Sequence, residues 1–198
     1  IVIAQSSIGN WNVIATGVVP FIIFFIAATA ELNRPPFDLV EAEQELVGGF
    51  NTEYSSIRFG LFFLAEFMNT ITMSGIIVTL FFGGPQGLFN IPGIPGAIEG
   101  SIWLIAKVLV FLYIYVWMRA TLPRFRYDQL MDLGWKILIP TSLGWFMLMA
   151  VLRLGRDEDW NAVVVAVVAA VIILGCVALM STAVKVSKAN REREGAMF

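Results

Sequence analysis

Long apolar runs alternate with short polar or glycine-rich breaks along the whole chain. They cover residues 11–30, 59–82, 101–122, 135–152 and 160–184. A run of about 20 apolar residues, rising about 1.5 Å each, crosses a hydrocarbon core of roughly 30 Å. Each run therefore predicts a transmembrane helix, and residues 1–10 form an apolar lead-in too short to span. Pro20 predicts a kink in the first span, and Pro35 with Pro36 ends it. Asp38 stands three residues before Glu41, the spacing of a capping box, which predicts a short helix from Leu39 to Val47 that stops at Gly48 and Gly49. After the second span the stretch GGPQGLFNIPGIPGAIEG reads as a loop of turns, and Pro123 to Lys136 reads as a compact charged connection. From Lys185 the tail is polar, helical at first and then disordered.

The pattern thus predicts an all-α integral membrane protein. It has five transmembrane helices and a short acidic cytoplasmic helix between the first two. Residues 1–198 form a single transmembrane domain, with 185–198 as a cytoplasmic tail. The apolar start at Ile1, without an initiating Met, reads as a piece of a longer chain.

The polar positions are concentrated between the first two spans. Glu31, Asp38, Glu41, Glu43, Glu45 and Glu53 crowd there with Arg34 and Arg58, and Glu66 is sunk into the second span itself. Desolvation raises the pKa of a carboxylate, so acids clustered at a membrane boundary are candidate proton sites. On the short helix Glu41 and Glu45 share one face and Glu43 points nearly the opposite way. Like charges at that spacing favour a state in which one is protonated, as in a proton relay or an acid-lined polar cavity.

Composition narrows the chemistry. The chain is 58% hydrophobic and 14% charged, and its mean hydropathy is +0.79. A net charge of −2 gives no case for nucleic-acid binding. With no histidine and Cys176 as the single cysteine, it has no ligand set for an iron–sulfur cluster, a haem or a zinc ion. Any redox chemistry nearby belongs to partner subunits or to a bound small molecule.

Lysine and arginine set the expected orientation. Arg34, Arg58, Arg119, Arg124, Arg126, Lys136, Lys185, Lys188, Arg191 and Arg193 fall on one side, and Arg153 and Arg156 on the other. The positive-inside rule puts the first set, and with it the acidic loop and the carboxyl terminus, in the cytoplasm. Trp11, Trp103, Trp117, Trp135 and Trp160 lie near span ends, as an aromatic belt requires.

The strings ELNRPPFDLVEAEQELVGGFNTEYSSIRFGLFFLAEF, LFFGG and MRATLPRFRYDQLMDLGWKILIP closely resemble the membrane-embedded H subunit of bacterial proton-pumping NADH:quinone oxidoreductase, respiratory complex I. The likeness runs over residues 11–152, whereas 153–198 match only as a further span and tail. The resemblance implies the last five of nine spans, at the junction of the redox and pumping arms. It also implies the membrane part of a quinone tunnel. Arg34, Asp38, Glu41, Glu43, Glu45 and Glu53 then border the quinone cavity, and Phe59 and Phe63 line it. Arg119, Arg124, Arg126 and Asp128 stand in the charged connection beside it, and Glu31 and Glu66 carry the proton or coupling route.

No catalytic group or metal site is implied in this chain alone. Quinone, either ubiquinone or menaquinone, would be the substrate, while FMN and iron–sulfur clusters sit in partner subunits. The implied partners are the peripheral quinone-site and iron–sulfur subunits, the small membrane subunits, the antiporter-like subunits and membrane lipid. The implied location is the bacterial cell membrane.

Plainer readings stand beside these. Glu41, Glu43 and Glu45 also read as a solvated face, Glu66 as a structural hydrogen-bonding group, and Glu31 and Lys107 as snorkelling side chains. Phe59 and Phe63 also read as packing or lipid-facing residues, Arg124 and Arg126 as topology anchors, and Cys176 as a small apolar filler. Two other classes share membrane acids. A secondary transporter would show an internal repeat or paired broken helices, and neither is found. A membrane anchor of a hydrogenase or related dehydrogenase shares the same ancestry, and a nickel-containing partner would mark it.

Overall fold

The computed structural model describes residues 1–38, 53–87, 89, 95–158 and 162–195. Every regular element among them is helical. Two short 3-10 turns, Ile3–Gln5 and Ile8–Asn10, lead into α1 (Asn12–Ala15) and α2 (Val18–Glu31). Then come α3 (Ile57–Phe81), α4 (Gly96–Thr121), α5 (Tyr127–Asp132), a π-helical segment Leu133–Leu138, α6 (Ile139–Asp157) and α7 (Ala162–Gly195). Among the described residues, four helical stretches are long and apolar enough to cross a membrane: Ile57–Phe81, Ile98–Thr121, Tyr127–Asp157 and Val163–Thr182. The expected all-α membrane class is borne out.

The first span departs from expectation. Instead of one helix kinked at Pro20, the chain breaks at Gly17, whose φ of 85° lies where only glycine is at ease, and restarts as α2. Pro20 is the third residue of that new helix. An amide in the first turn has no acceptor within the helix, so proline there removes no bond. It favours a start rather than a bend.

The charged connection also differs, because the helical run begins at Tyr127, soon after Pro123. Asp128 sits in its first turn, where the helix dipole favours an acid, and Asp132 pairs with Lys136 one turn on. The π segment comes just before Pro140, whose ring crowds the carbonyl four residues back. A widened turn there accommodates it. At the other end, α7 continues past the apolar run to Gly195. The short acidic helix expected over 39–47 lies outside the described residues.

The chain divides into two compact units, Ile1–Arg126 and Tyr127–Phe198. In the first, Ala28, Leu32, Ile77, Val78, Phe111 and Tyr115 form a buried cluster that joins α2, α3 and α4. Aromatic rings fill the gaps between them: Phe21 meets Phe81, Phe82 and Phe111 edge-on, and Phe25 stacks on Tyr115 at 5.4 Å. In the second unit α6 and α7 approach through small residues. A Cβ on Gly144 would lie 2.7 Å from the Cys176 sulfur, and one on Gly155 would lie 2.5 Å from Val165. Close backbone approach of this kind is how apolar helices pack where burial from water does not drive them together.

Candidate functional site

The turn that follows α2 positions the central residue of the site. α2 ends at Glu31, Leu32 closes it through its amide to the Ala28 carbonyl, and Asn33 takes a φ of 48°. Asparagine tolerates that left-handed conformation better than other residues with a Cβ, and it reverses the chain direction. Arg34 therefore turns back towards α3, and Pro35, Pro36 and Phe37 lead away from it. The segment is packed down: Phe125 donates its amide to the Pro36 carbonyl at 2.9 Å, and the Phe37 and Phe125 rings lie 5.6 Å apart.

Arg34 is buried and reads two successive turns of α3. Its Nη2 lies 3.0 Å from Glu66 Oε1 and donates to Thr70 Oγ1 at 3.3 Å. Thr70 in turn donates to the Glu66 carbonyl, which fixes its oxygen as an acceptor towards Arg34. The guanidinium also lies over the Phe67 ring, 5.2 Å from its centre. Residues 66, 67 and 70 share one side of the helix, so a single arginine can meet all three. Glu66 keeps 29% of its side chain accessible. Arginine holds its charge under all ordinary conditions, so any change in the net charge of the pair is carried by Glu66.

Towards the amino end of α3, Phe67 continues into a row of rings on one face. Phe63 meets Phe67 edge-on at 4.8 Å, and Phe59 stacks against Phe63 at 5.9 Å. All three are exposed, at 37%, 48% and 41% for Phe59, Phe63 and Phe67. An exposed aromatic row thus ends on an ion pair whose arginine is buried and whose carboxylate is part-exposed.

A second pair lies in the same unit. Asp38, with 6% of its side chain exposed, faces Arg124 at 3.4 Å. Among the described residues, Arg34 Nε and Asp38 Oδ1 are buried polar atoms without a hydrogen-bond partner.

The other sequence-derived candidates are distributed as follows. Glu31 is exposed at the end of α2, Glu53 is exposed ahead of α3, and Arg119 is exposed in the last turn of α4. Arg126 is exposed at the end of the first unit and Asp128 lies in the first turn of α5, in the second. Glu41, Glu43 and Glu45 fall outside the described residues. The structure therefore brings together Arg34 with Glu66, and Asp38 with Arg124. Sequence reasoning passed over Thr70 and Phe67. The signal was available: Phe67 continues the four-residue spacing of Phe59 and Phe63, and Thr70 stands four residues after Glu66. No group of acids and cysteines suited to hold a metal ion occurs among the described residues.

The sequence profile described as NADH dehydrogenase matches residues 1–150. The chain belongs to the NADH dehydrogenase family. Among its curated relatives, the H subunit of NADH-quinone oxidoreductase from Frankia alni is 49% identical over 160 residues, covering 79% of this chain and 35% of the relative. The protein of the same description from Frankia casuarinae is 51% identical over 156 residues, covering 77% and 34%. That of Streptomyces avermitilis is 45% identical over 163 residues, covering 80% and 36%. These matches bear out the resemblance to the H subunit. The chain spans about a third of the length of the curated relatives it matches. In this member of the NADH dehydrogenase family, the matched region contains both the aromatic row of α3 and the Arg34–Glu66 pair.

Proposed function

We propose that the chain serves as the membrane-embedded H subunit of a proton-translocating NADH:quinone oxidoreductase, and that the side of α3 bearing Arg34 and Glu66 forms part of the border of its quinone tunnel. The names of its relatives support the enzyme, and one observation carries the site: the exposed row Phe59, Phe63, Phe67 runs directly into the Arg34–Glu66 pair. Aromatic faces suit an isoprenoid chain, and a part-buried ion pair at the end of such a path is where charge can be taken up or passed on.

Two-electron reduction of a quinone creates a demand for two protons in a secluded place. Carboxylic acids or water held by them meet that demand, and each change of charge shifts the preferred protonation of the next acid along the route. On this reading Glu66 answers the redox event by loosening or tightening its hold on Arg34, and Glu31 lies on the outgoing route. Asp38, Arg119, Arg124, Arg126 and Asp128, with Glu41, Glu43, Glu45 and Glu53 of the acidic stretch, border the cavity. FMN and iron–sulfur clusters belong to peripheral partners, and the antiporter-like subunits receive the coupling. The acidic stretch and the carboxyl terminus face the cytoplasm of a bacterial cell.

The test is Glu66→Gln in the full-length subunit, with NADH oxidation by quinone and by a soluble artificial acceptor measured side by side. Quinone-linked turnover or its proton output is expected to fall while the artificial-acceptor rate and the amount of assembled complex are kept. Unchanged quinone turnover and unchanged proton output would reduce Glu66 to a packing residue. For the aromatic row, Phe63→Ala is expected to raise the KM for a long-tailed quinone more than for a short-tailed one.

A further inference from the structure

At the carboxyl end of α3 is a polar joint that the proposed function does not use. The chain leaves the helix through Gly83 and Gly84, both in left-handed conformations with φ of 73° and 56°. That turn directs several main-chain carbonyls towards one point, and in apolar surroundings each of them needs a donor. Three side chains from distant parts of the sequence supply donors.

Gln5 is fully buried. Its amide nitrogen donates to the Thr79 and Leu80 carbonyls at 3.3 and 3.1 Å, and its oxygen accepts from the amides of Gly83 and Asn12 at 2.9 and 3.2 Å. That set saturates the side-chain amide. Asn12 adds a bond to the Leu80 carbonyl at 2.7 Å.

Lys107, from α4, completes the joint. Its Nζ donates to the carbonyls of Phe82, Gly84 and Gln86 at 2.7, 3.1 and 2.6 Å and lies 4.5 Å from the centre of the Trp11 ring. A primary ammonium has three hydrogens, and here each has its own acceptor. The remaining side rests against an indole, the aromatic face most favourable to a cation. The negative end of the helix dipole adds to the attraction. Gly83 makes room for the indole, since a Cβ there would lie 2.8 Å from Trp11 Nε1.

We propose that this joint is a receptor for a primary ammonium group, filled by the chain's own Lys107, and that its occupancy locks the segment carrying Gln5, Trp11 and Asn12 onto the end of α3. The ligand class follows from the geometry. Three acceptors converging on a point match the threefold donors of an ammonium and not the planar fork of a guanidinium. A quaternary ammonium offers charge but no N–H.

The experiment uses the full-length subunit in its membrane assembly. Lys107→Ala removes the side chain beyond Cβ, which n-propylammonium can replace. The melting temperature of the Ala variant is expected to fall by several degrees, and millimolar n-propylammonium is expected to restore most of that loss while leaving the parent protein unchanged. Propyltrimethylammonium and n-propanol should restore nothing, and Lys107→Arg should melt with the Ala variant. A parent-like melting temperature for Lys107→Ala, or equal recovery with propyltrimethylammonium or propanol, would overturn the proposal. If the Ala variant does not assemble, reductive methylation of the parent in membranes gives the answer. Lys107 should stay unmodified until the protein melts while Lys136 reacts, and methylation of both at one rate would refute the receptor.

Discussion

α3 and the turn that follows it each meet a cation from another segment, and they do so by opposite means. Near Glu66 the cation is Arg34 and its acceptors are a carboxylate and a hydroxyl, with one of its own N–H groups left over. Beyond Phe81 the cation is Lys107 and its acceptors are main-chain carbonyls, with every ammonium hydrogen placed. A carboxylate can change its charge and a carbonyl cannot. The first contact is therefore chemically adjustable and the second is fixed, although each joins α3 or the turn that ends it to a positive side chain. A buried charge alone does not mark a responsive site; the nature of its acceptors does.

The harshest way to break this contrast is at the fixed end, without touching a charge. Gly83→Val forces a β-branched residue into a left-handed conformation and drives its Cβ into Trp11, which should cost about 3 kcal/mol or more. It should appear as a marked drop in melting temperature and in the amount of assembled subunit. Next comes Glu66→Gln, which leaves Arg34 charged beside a neutral acceptor. Its stability cost should be about 1–2 kcal/mol, and its larger effect should fall on coupled quinone turnover, so that stability and activity part company at this end alone. Thr70→Val removes one acceptor from Arg34 and should cost about 1 kcal/mol by denaturant melt. Phe67→Leu is expected to be the mildest, at about 0.5 kcal/mol, because it removes the ring beneath the guanidinium and leaves the ion pair in place.

Hydropathy alone carried most of the fold. The three runs starting near 59, 101 and 160 became α3, α4 and α7, since nothing within them interrupts the helical hydrogen bonds. The first run misled because a proline within a helix and a proline in its opening turn look the same in a sequence. Gly17, which makes the actual break, carries no such flag. The charged string from Pro123 misled in the other direction: its acids and its lysine suggested a connection, whereas spaced as Asp128, Asp132 and Lys136 they support a helix.

The site was half legible. Arg34 and Glu66 stand out as charges between and within apolar runs, but that they pair depends on the reversal at Asn33. Lys107 was visible as a lone cation in a span and read as snorkelling. Its true acceptors were hidden because carbonyls belong to every residue, and only the Gly83–Gly84 turn selects which of them converge.

That turn has a mechanical consequence. α3 is 25 residues long, or about 37 Å, and just past its last turn the chain is gripped by a saturated set of bonds. Glu66 stands about 22 Å from that grip. Between that grip and the amino-terminal tip the rod is held by Ile77 and Val78 in the buried cluster and by Arg34, which meets Glu66, Thr70 and Phe67. The turns that carry Phe59 and Phe63 lie beyond the last of these holds, farthest from the root. The glycine pair thereby marks the anchored end of the rod.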